Sequence, residues 1–338
     1  MAHYKVKDGR VSGHVMSEVS DFLPKGDKAS AIDLAIDHGA NFTPLLSPIM
    51  HPAEGAVAIE AEQIRARRGE RTRGMHYSVW NESVVGKSAV LLNPSVSHTY
   101  AATPYMQTMQ MIEEVFPRSA VGFSNINDGQ RIMLFIELTG SVDLGGGDLI
   151  TPNLVVIDSL DGSHATKIIP TAHRWFCENQ LRHSKTILSV KHTANHNRLL
   201  SQWTTQVARA KQDWALFVDR ARSFKHIDFD RRGYAVSWLH EVLPKPEQGE
   251  KQTAQGYRSQ LTRWENDIDS IMRRYDYEAG EFGHNAWSLL QAIQSHEFHT
   301  KTKGDADKKA NAIIDPESKQ KLTLRMEAIA HRHVYQSL

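Results

Sequence analysis

Between Gln130 and Thr171 the chain alternates apolar, β-branched runs with glycine turns, and this stretch constrains the fold more than any other. Residues 130–142 (QRIMLFIELTGSV), 149–158 (LITPNLVVID) and 164–171 (HATKIIPT) have the composition and length of strands. Gly145–Gly147 falls in the first gap, and Asp161–Gly162, a strong hairpin pair, falls in the second. The three runs read as an antiparallel meander. Residues 173–183 (HRWFCENQLRH) read as a helix, with Trp175, Phe176, Cys177 and Leu181 as its apolar contacts. The expected core is therefore β-β-β-α.

The flanking segments make the whole an α+β fold with a mostly helical C-terminal half. Residues 1–27 read as a mobile N-terminal tail, 28–192 as an α+β core domain, and 193–338 as a helical region packed on it. Residues 29–38 (ASAIDLAIDH) form a short helix closed by Gly39. Residues 41–47 form a strand stopped by Pro48, and 75–100 are strand-like. Residues 104–116 (PYMQTMQMIEEVF) form an amphipathic helix with Met106, Met109, Ile112, Val115 and Phe116 in one stripe. Helices are expected over 193–224, 229–243, 257–275, 283–298 and 316–333. A proline- and glycine-bearing linker spans 244–256, and residues 300–311 form a charged loop.

Composition excludes several classes. The single cysteine, Cys177, permits no internal disulfide and suits a reducing compartment. No apolar h-region opens the chain, and no apolar run approaches the roughly 18 residues of a membrane span. The expected location is cytoplasmic, without membrane contact. The net charge is only +1, but residues 160–225 hold eleven Lys/Arg against four Asp/Glu. A near-neutral chain can thus carry a basic face.

Catalytic signatures are missing. There is no phosphate loop of the G-x-x-x-x-G-K-[ST] type and no G-x-S-x-G elbow. Gly145–Gly147 lies between two strands, which is the context of a hairpin and not of a dinucleotide site. Among 18 histidines, His192 and His196 have the i, i+4 spacing of metal ligands on a helix face, but Thr193 stands where a zincin carries glutamate. His296 with His299 and His331 with His333 are also paired, and all read as surface or hydrogen-bonded side chains. Asp158 and Asp161 read as turn chemistry. Glu137, Asp148, Asp158 and Lys167 could converge as in a metal-dependent nuclease, though no spacing requires it. No cofactor, metal or catalytic residue is expected.

The basic stretch is the most informative feature. Lys167, Arg174, Arg182, Lys185, Lys191 and Arg198 open it, and Trp175, Phe176, Trp203, Trp214, Phe217 and Phe224 are interleaved. Cations that track phosphates, with aromatics to stack bases, are what single-strand binding uses. Trp203, Trp214 and Phe217 also have near-helical spacing, which suits a core. Arg65, Arg67 and Arg68 stand in an arginine-rich loop (IRARRGERTRG) suited to bidentate phosphate contact.

Several segments, in order, resemble a phage- and plasmid-borne family built on domain of unknown function 932. They are residues 32–43 (IDLAIDHGANFT), 96–107 (VSHTYAATPYMQ), 128–138 (DGQRIMLFIEL), 158–163 (DSLDGS), 174–181 (RWFCENQL), 191–195 (KHTAN) and 283–296 (GHNAWSLLQAIQSH). Met133, Gln180 and Gln291 depart from its pattern. The resemblance implies a mobile-element origin in a bacterial host and brings no activity with it. The β-β-β-α order is also similar to the core of single-strand annealing recombination proteins. These lines lead to an expectation: a single-stranded DNA-binding protein, an annealing or recombination accessory, acting as a homo-oligomer. The expected phosphate contacts are Arg65, Arg67, Arg68, Arg174, Arg182, Lys185, Lys191 and Arg198. The alternatives are a metal-dependent nuclease and a host-defence antagonist that binds a protein partner.

Overall fold

The computed structural model describes residues 21–22, 27–48, 50–51, 57–58, 76–82, 89–97, 99–174, 179–182, 188–193, 195–196, 204–250, 252–297 and 321–336. The expected tail lies almost wholly outside them, as do the charged loop at 300–311 and Cys177. The fold is α+β, with antiparallel sheets and a mostly helical C-terminal region. The chain forms two compact units that interleave along the sequence. The first comprises Met1–Thr139, Pro152–Thr171 and Ser184–Gln212; the second comprises Gly140–Thr151, Ala172–His183 and Asp213–Leu338.

The first unit begins with β1 (Asp21–Phe22) and α1 (Ala31–Asp37). Ser30 caps α1 by accepting from the amides of Ile32 and Asp33, and Gly39 ends it at φ +69°. Strands β2 (Leu45–Pro48), β5 (His76–Asn81) and β6 (Val90–Ser97) make an antiparallel three-stranded sheet, and β3 (Met50–His51) pairs with β4 (Val57–Ala58). Helix α2 (Tyr105–Val115) follows Pro104, as its amphipathic stripe predicts, and buries Tyr105, Met109 and Ile112.

The sheet extends beyond the three strands that the sequence announces. β7 (Ala120–Ile126) pairs with β8 (Arg131–Glu137), which pairs antiparallel with β10 (Leu149–Ser159). Next comes β11 (Thr166–Arg174), on which β13 (Leu188–Val190) pairs antiparallel. Ile132, Leu134 and Ile136 of β8 join Leu154, Val156, Phe123 and Tyr105 in one buried cluster. Nearly every residue of β8 and β10 is buried, so these strands show no alternation of buried and exposed positions.

In the second unit β9 (Val142–Asp143) pairs with the start of β10, and β12 (Asn179–Arg182) pairs with β11. The helix expected over 173–183 is thus not formed at either end: His173 and Arg174 finish β11, and 179–182 are strand. Apolar positions crowded at 175–177 and 181 mimic a helical face, a short-range ambiguity that strand pairing resolves. Helix α3 (Thr204–Lys225) carries residues of both units. It starts later than the expected Thr193, which instead forms a β-bridge with Tyr100. Then come α4 (Arg232–Val242), α5 (Ala254–Phe282), α6 (Ala286–Ser295) and α7 (Lys321–Gln336). Thr253 and Asn285 cap α5 and α6 by accepting from Gly256 and Ser288 amides. The core here is aromatic: Trp214, Phe217, Phe224, Trp238, Tyr275 and Trp287. Among the described residues no helix is long and apolar enough to cross a membrane.

Candidate functional site

Among the described residues each unit holds a buried polar centre that joins several elements. In the first unit it is built on Asp158, near the end of β10 and fully buried. Its Oδ1 accepts from the Thr166 hydroxyl at 2.9 Å and the Ser159 amide at 2.9 Å, and its Oδ2 accepts from the Thr108 hydroxyl at 3.2 Å. Three elements, β10, β11 and α2, meet here because Thr108 lies on the buried face of α2 and Thr166 points inward from β11.

The two histidines arrive by alternation along and beyond β13. Val190 is buried, Lys191 exposed, His192 buried and Thr193 exposed. The Thr193–Tyr100 bridge and the bond from the Ala101 amide to the His192 carbonyl hold this segment. A turn from Thr193 then brings His196 back over His192, and the two rings stack at 4.8 Å and 12°. The i, i+4 spacing does bring both imidazoles together, though through a bridge and a turn. On its other side His192 meets the Tyr100 ring at 5.4 Å. His192 Nε2 lies 3.0 Å from Asp158 Oδ1, yet neither ring nitrogen has the alignment of a hydrogen bond with any partner. His196 is held at both nitrogens, by Thr103 Oγ1 at 3.1 Å and Thr166 Oγ1 at 2.7 Å. Burial first, then the charges of Asp158 and Asp161, push the Tyr100 hydroxyl pKa upward, so it stays protonated.

One ligand atom from each of Asp158, His192 and His196 can be chosen so that all lie within 4.8 Å of one another. Asp158 is therefore not turn chemistry. That role belongs to Asp161, whose Oδ1 accepts from the Ser163 amide and whose Oδ2 pairs with Arg131 at 2.9 Å.

The second centre is an ion cluster. Asp148 meets Arg174 Nε at 2.6 Å, the Trp287 indole N–H at 2.9 Å and Lys225 Nζ at 3.5 Å. Arg174 also donates to Glu278 at 2.6 Å and lies over the Phe282 ring. Beside it an open cleft is lined by Arg222, Lys225 and His226 but also by Asp143 and Asp228, so it has no single sign of charge. The glycine turn contributes no phosphate cradle: Asp143 itself accepts from the Gly145 and Gly147 amides.

The expected phosphate contacts fare unequally. Lys191 is exposed. Arg174 is fully buried against two carboxylates and so is not available to a phosphate; solvation lost on burial is recovered by those acids. Arg182 ends β12, and its side chain lies outside the described residues, as do Arg65, Arg67, Arg68, Lys185 and Arg198 entirely. Trp214, Phe217 and Phe224 belong to the second unit's core, so they cannot stack bases. Trp175, Phe176 and Trp203 lie outside the described residues. The carboxylates of the nuclease alternative do not share partners: Glu137 pairs with Lys28 at 2.8 Å, Asp148 with Arg174, and Asp158 with the threonines and His192. Of the remaining histidines, His296 bonds Ser270 and Asp267, His331 faces Phe224, and His333 stacks on Trp238.

Sequence reasoning missed Thr103, Thr108 and Thr166, and misassigned Asp158. A signal existed, since Tyr100, Asp158 and His192 each lie inside one of the short segments at 96–107, 158–163 and 191–195 that carry the family resemblance. Those segments meet at one buried point. No curated protein and no solved structure matches the chain. A family model does match, over residues 94–324, more than half of the 338 residues, and the chain belongs to that family, described as Domain of unknown function (DUF932).

Proposed function

We propose that the protein binds single-stranded nucleic acid through phosphate contacts, without base stacking by its core aromatics. The observation that carries this reading is a pair of lysines at the β11–β13 ladder, a half-buried Lys167 on β11 and an exposed Lys191 just past β13. Lys167 is registered against Ser189, and Lys191 follows two residues later on the same side. Cross-strand diagonal neighbours lie about 7–8 Å apart. Among the described residues neither lysine has an acidic partner, and the exposed Ser189 and Thr193 hydroxyls stand beside them. Unpaired like charges at such a spacing repel, and an anionic backbone relieves that cost. The local excess of basic residues over 160–225 supports the same reading. Binding of this kind is sequence-independent and suits an annealing or recombination accessory in a mobile element.

The test is fluorescence anisotropy with a labelled single strand and a labelled duplex, across a salt series. Binding to the single strand should weaken steeply with salt. The double variant Lys167→Glu with Lys191→Glu should flatten the log–log slope by roughly 1.4, at about 0.7 per phosphate contact. Absence of binding at low salt would overturn the proposal, and so would an unchanged slope in the variant.

A further inference from the structure

We infer that Asp158, His192 and His196 form an enclosed binding site for one divalent first-row transition-metal ion of the zinc class. The inference is independent of nucleic-acid binding and assigns a role to a centre that reading does not use.

The donor set is two imidazoles and one carboxylate, which suits zinc and its neighbours better than magnesium or calcium, whose ligands are oxygens. Its parts come from three places in the sequence, β10, the end of β13 and the following turn, and they converge with side chains nearly excluded from solvent. The decisive observation is His192. Its ring is sandwiched between Tyr100 and His196, its side chain is 3% exposed, and among the described residues neither buried nitrogen has a hydrogen-bond partner. Neither form of Nε2 suits Asp158: an N–H there is misaligned with Oδ1, and a lone pair there faces a carboxylate oxygen 3.0 Å away. A cation shared by Nε2 and Oδ1 matches both.

The surroundings have the form of an outer shell. The Thr103 hydroxyl sits on His196 Nδ1 and can accept its N–H, which turns Nε2 toward Asp158 and Thr166. Thr108 and the Ser159 amide hold the carboxylate. Thr166 Oγ1 touches both Asp158 and His196, so it is the hydroxyl that entry of an ion displaces or enlists as a further oxygen donor. Burial of all three donors gives the site a structural ion's character.

The experiment uses untagged full-length protein, stripped with chelator, and titrated with Zn²⁺ against a chromophoric competitor and with Co²⁺ by visible absorption. One tight equivalent per chain is expected, with a Co²⁺ spectrum of low coordination number and a metal-dependent rise in the thermal midpoint. His192→Gln and His196→Gln should abolish the tight equivalent and the midpoint shift. Thr103→Val should weaken binding by roughly 10–100-fold, as loss of an outer-shell partner does. Wild-type protein with no saturable equivalent would overturn the inference even if the variants do not fold. So would an equivalent and a midpoint shift that survive in both histidine variants, because the ion would then sit on other histidines.

Discussion

Arg174 and Asp148 are joined at 2.6 Å with both side chains wholly removed from solvent. A guanidinium there is structural, and its loss leaves Asp148 and Glu278 as buried carboxylates without their main countercharge. Arg174→Met should lower unfolding free energy by about 3–5 kcal/mol, read from urea denaturation. The salt slope of nucleic-acid binding, measured on whatever folds, should be unchanged. A variant of near wild-type stability with a reduced slope would return Arg174 to the phosphate-contacting set.

The described aromatic residues of the basic stretch are core side chains. Trp214 stacks on Phe217 at 5.5 Å inside the second unit's core. Trp214→Ala should cost about 3–5 kcal/mol of stability through lost burial and a residual cavity. Single-strand addition to the wild-type protein should not quench the emission of this tryptophan, which comparison with Trp214→Phe isolates.

Gly129 has φ +101°, and a Cβ at this position would stand 2.5 Å from the Phe42 ring. Phe42 is itself packed edge-on against Tyr105 at 5.9 Å and cannot swing away freely. Gly129→Ala therefore combines backbone strain with overpacking, each about 1–3 kcal/mol. A clear drop in thermal midpoint is expected, whereas Gly140→Ala, whose Cβ would meet nothing within 4 Å, should leave it nearly unchanged.

His173 is buried at the end of β11, and burial pushes its pKa from 6.5 down to about 4. The folded state disfavours the protonated ring, so the unfolded chain binds the extra proton first as pH falls. The stabilising contribution is complete above about 6.5 and is lost between there and about 4, a matter of a few kcal/mol. His173→Gln should flatten the stability profile in that window when unfolding is followed by denaturant at successive pH values. A profile parallel to wild type would contradict this account.

Local chemistry made much of this legible before any coordinates. The Gly39 close of α1, the Pro104 start of α2 and the β-branched runs of β8, β10 and β11 are written in short-range preferences, and all are formed. What escaped depended on distant pairing. Residues 120–126 (AVGFSNI) are too plain to announce a strand and become β7 only through their ladder with β8. Asp158 looked like a turn residue because Asp161–Gly162 stands beside it, while the hydroxyls that define it come from α2 and β11. The basic stretch was legible as charge but not as geometry, since composition does not distinguish the exposed Lys191 from the buried Arg174.

The interleaving of the two units limits how this chain can be taken apart. The polypeptide passes from one unit to the other after Thr139, Thr151, Thr171, His183 and Gln212. No single cut, in a gene or by a protease, separates the two units: a cut after Thr139 divides the first, a cut after Gln212 divides the second, and a cut at any passage between divides both. The family match over 94–324 likewise runs through parts of each. Heredity can therefore shuffle neither unit as a module: the two descend together, and a fragment begun or ended at any of those passages breaks at least one core.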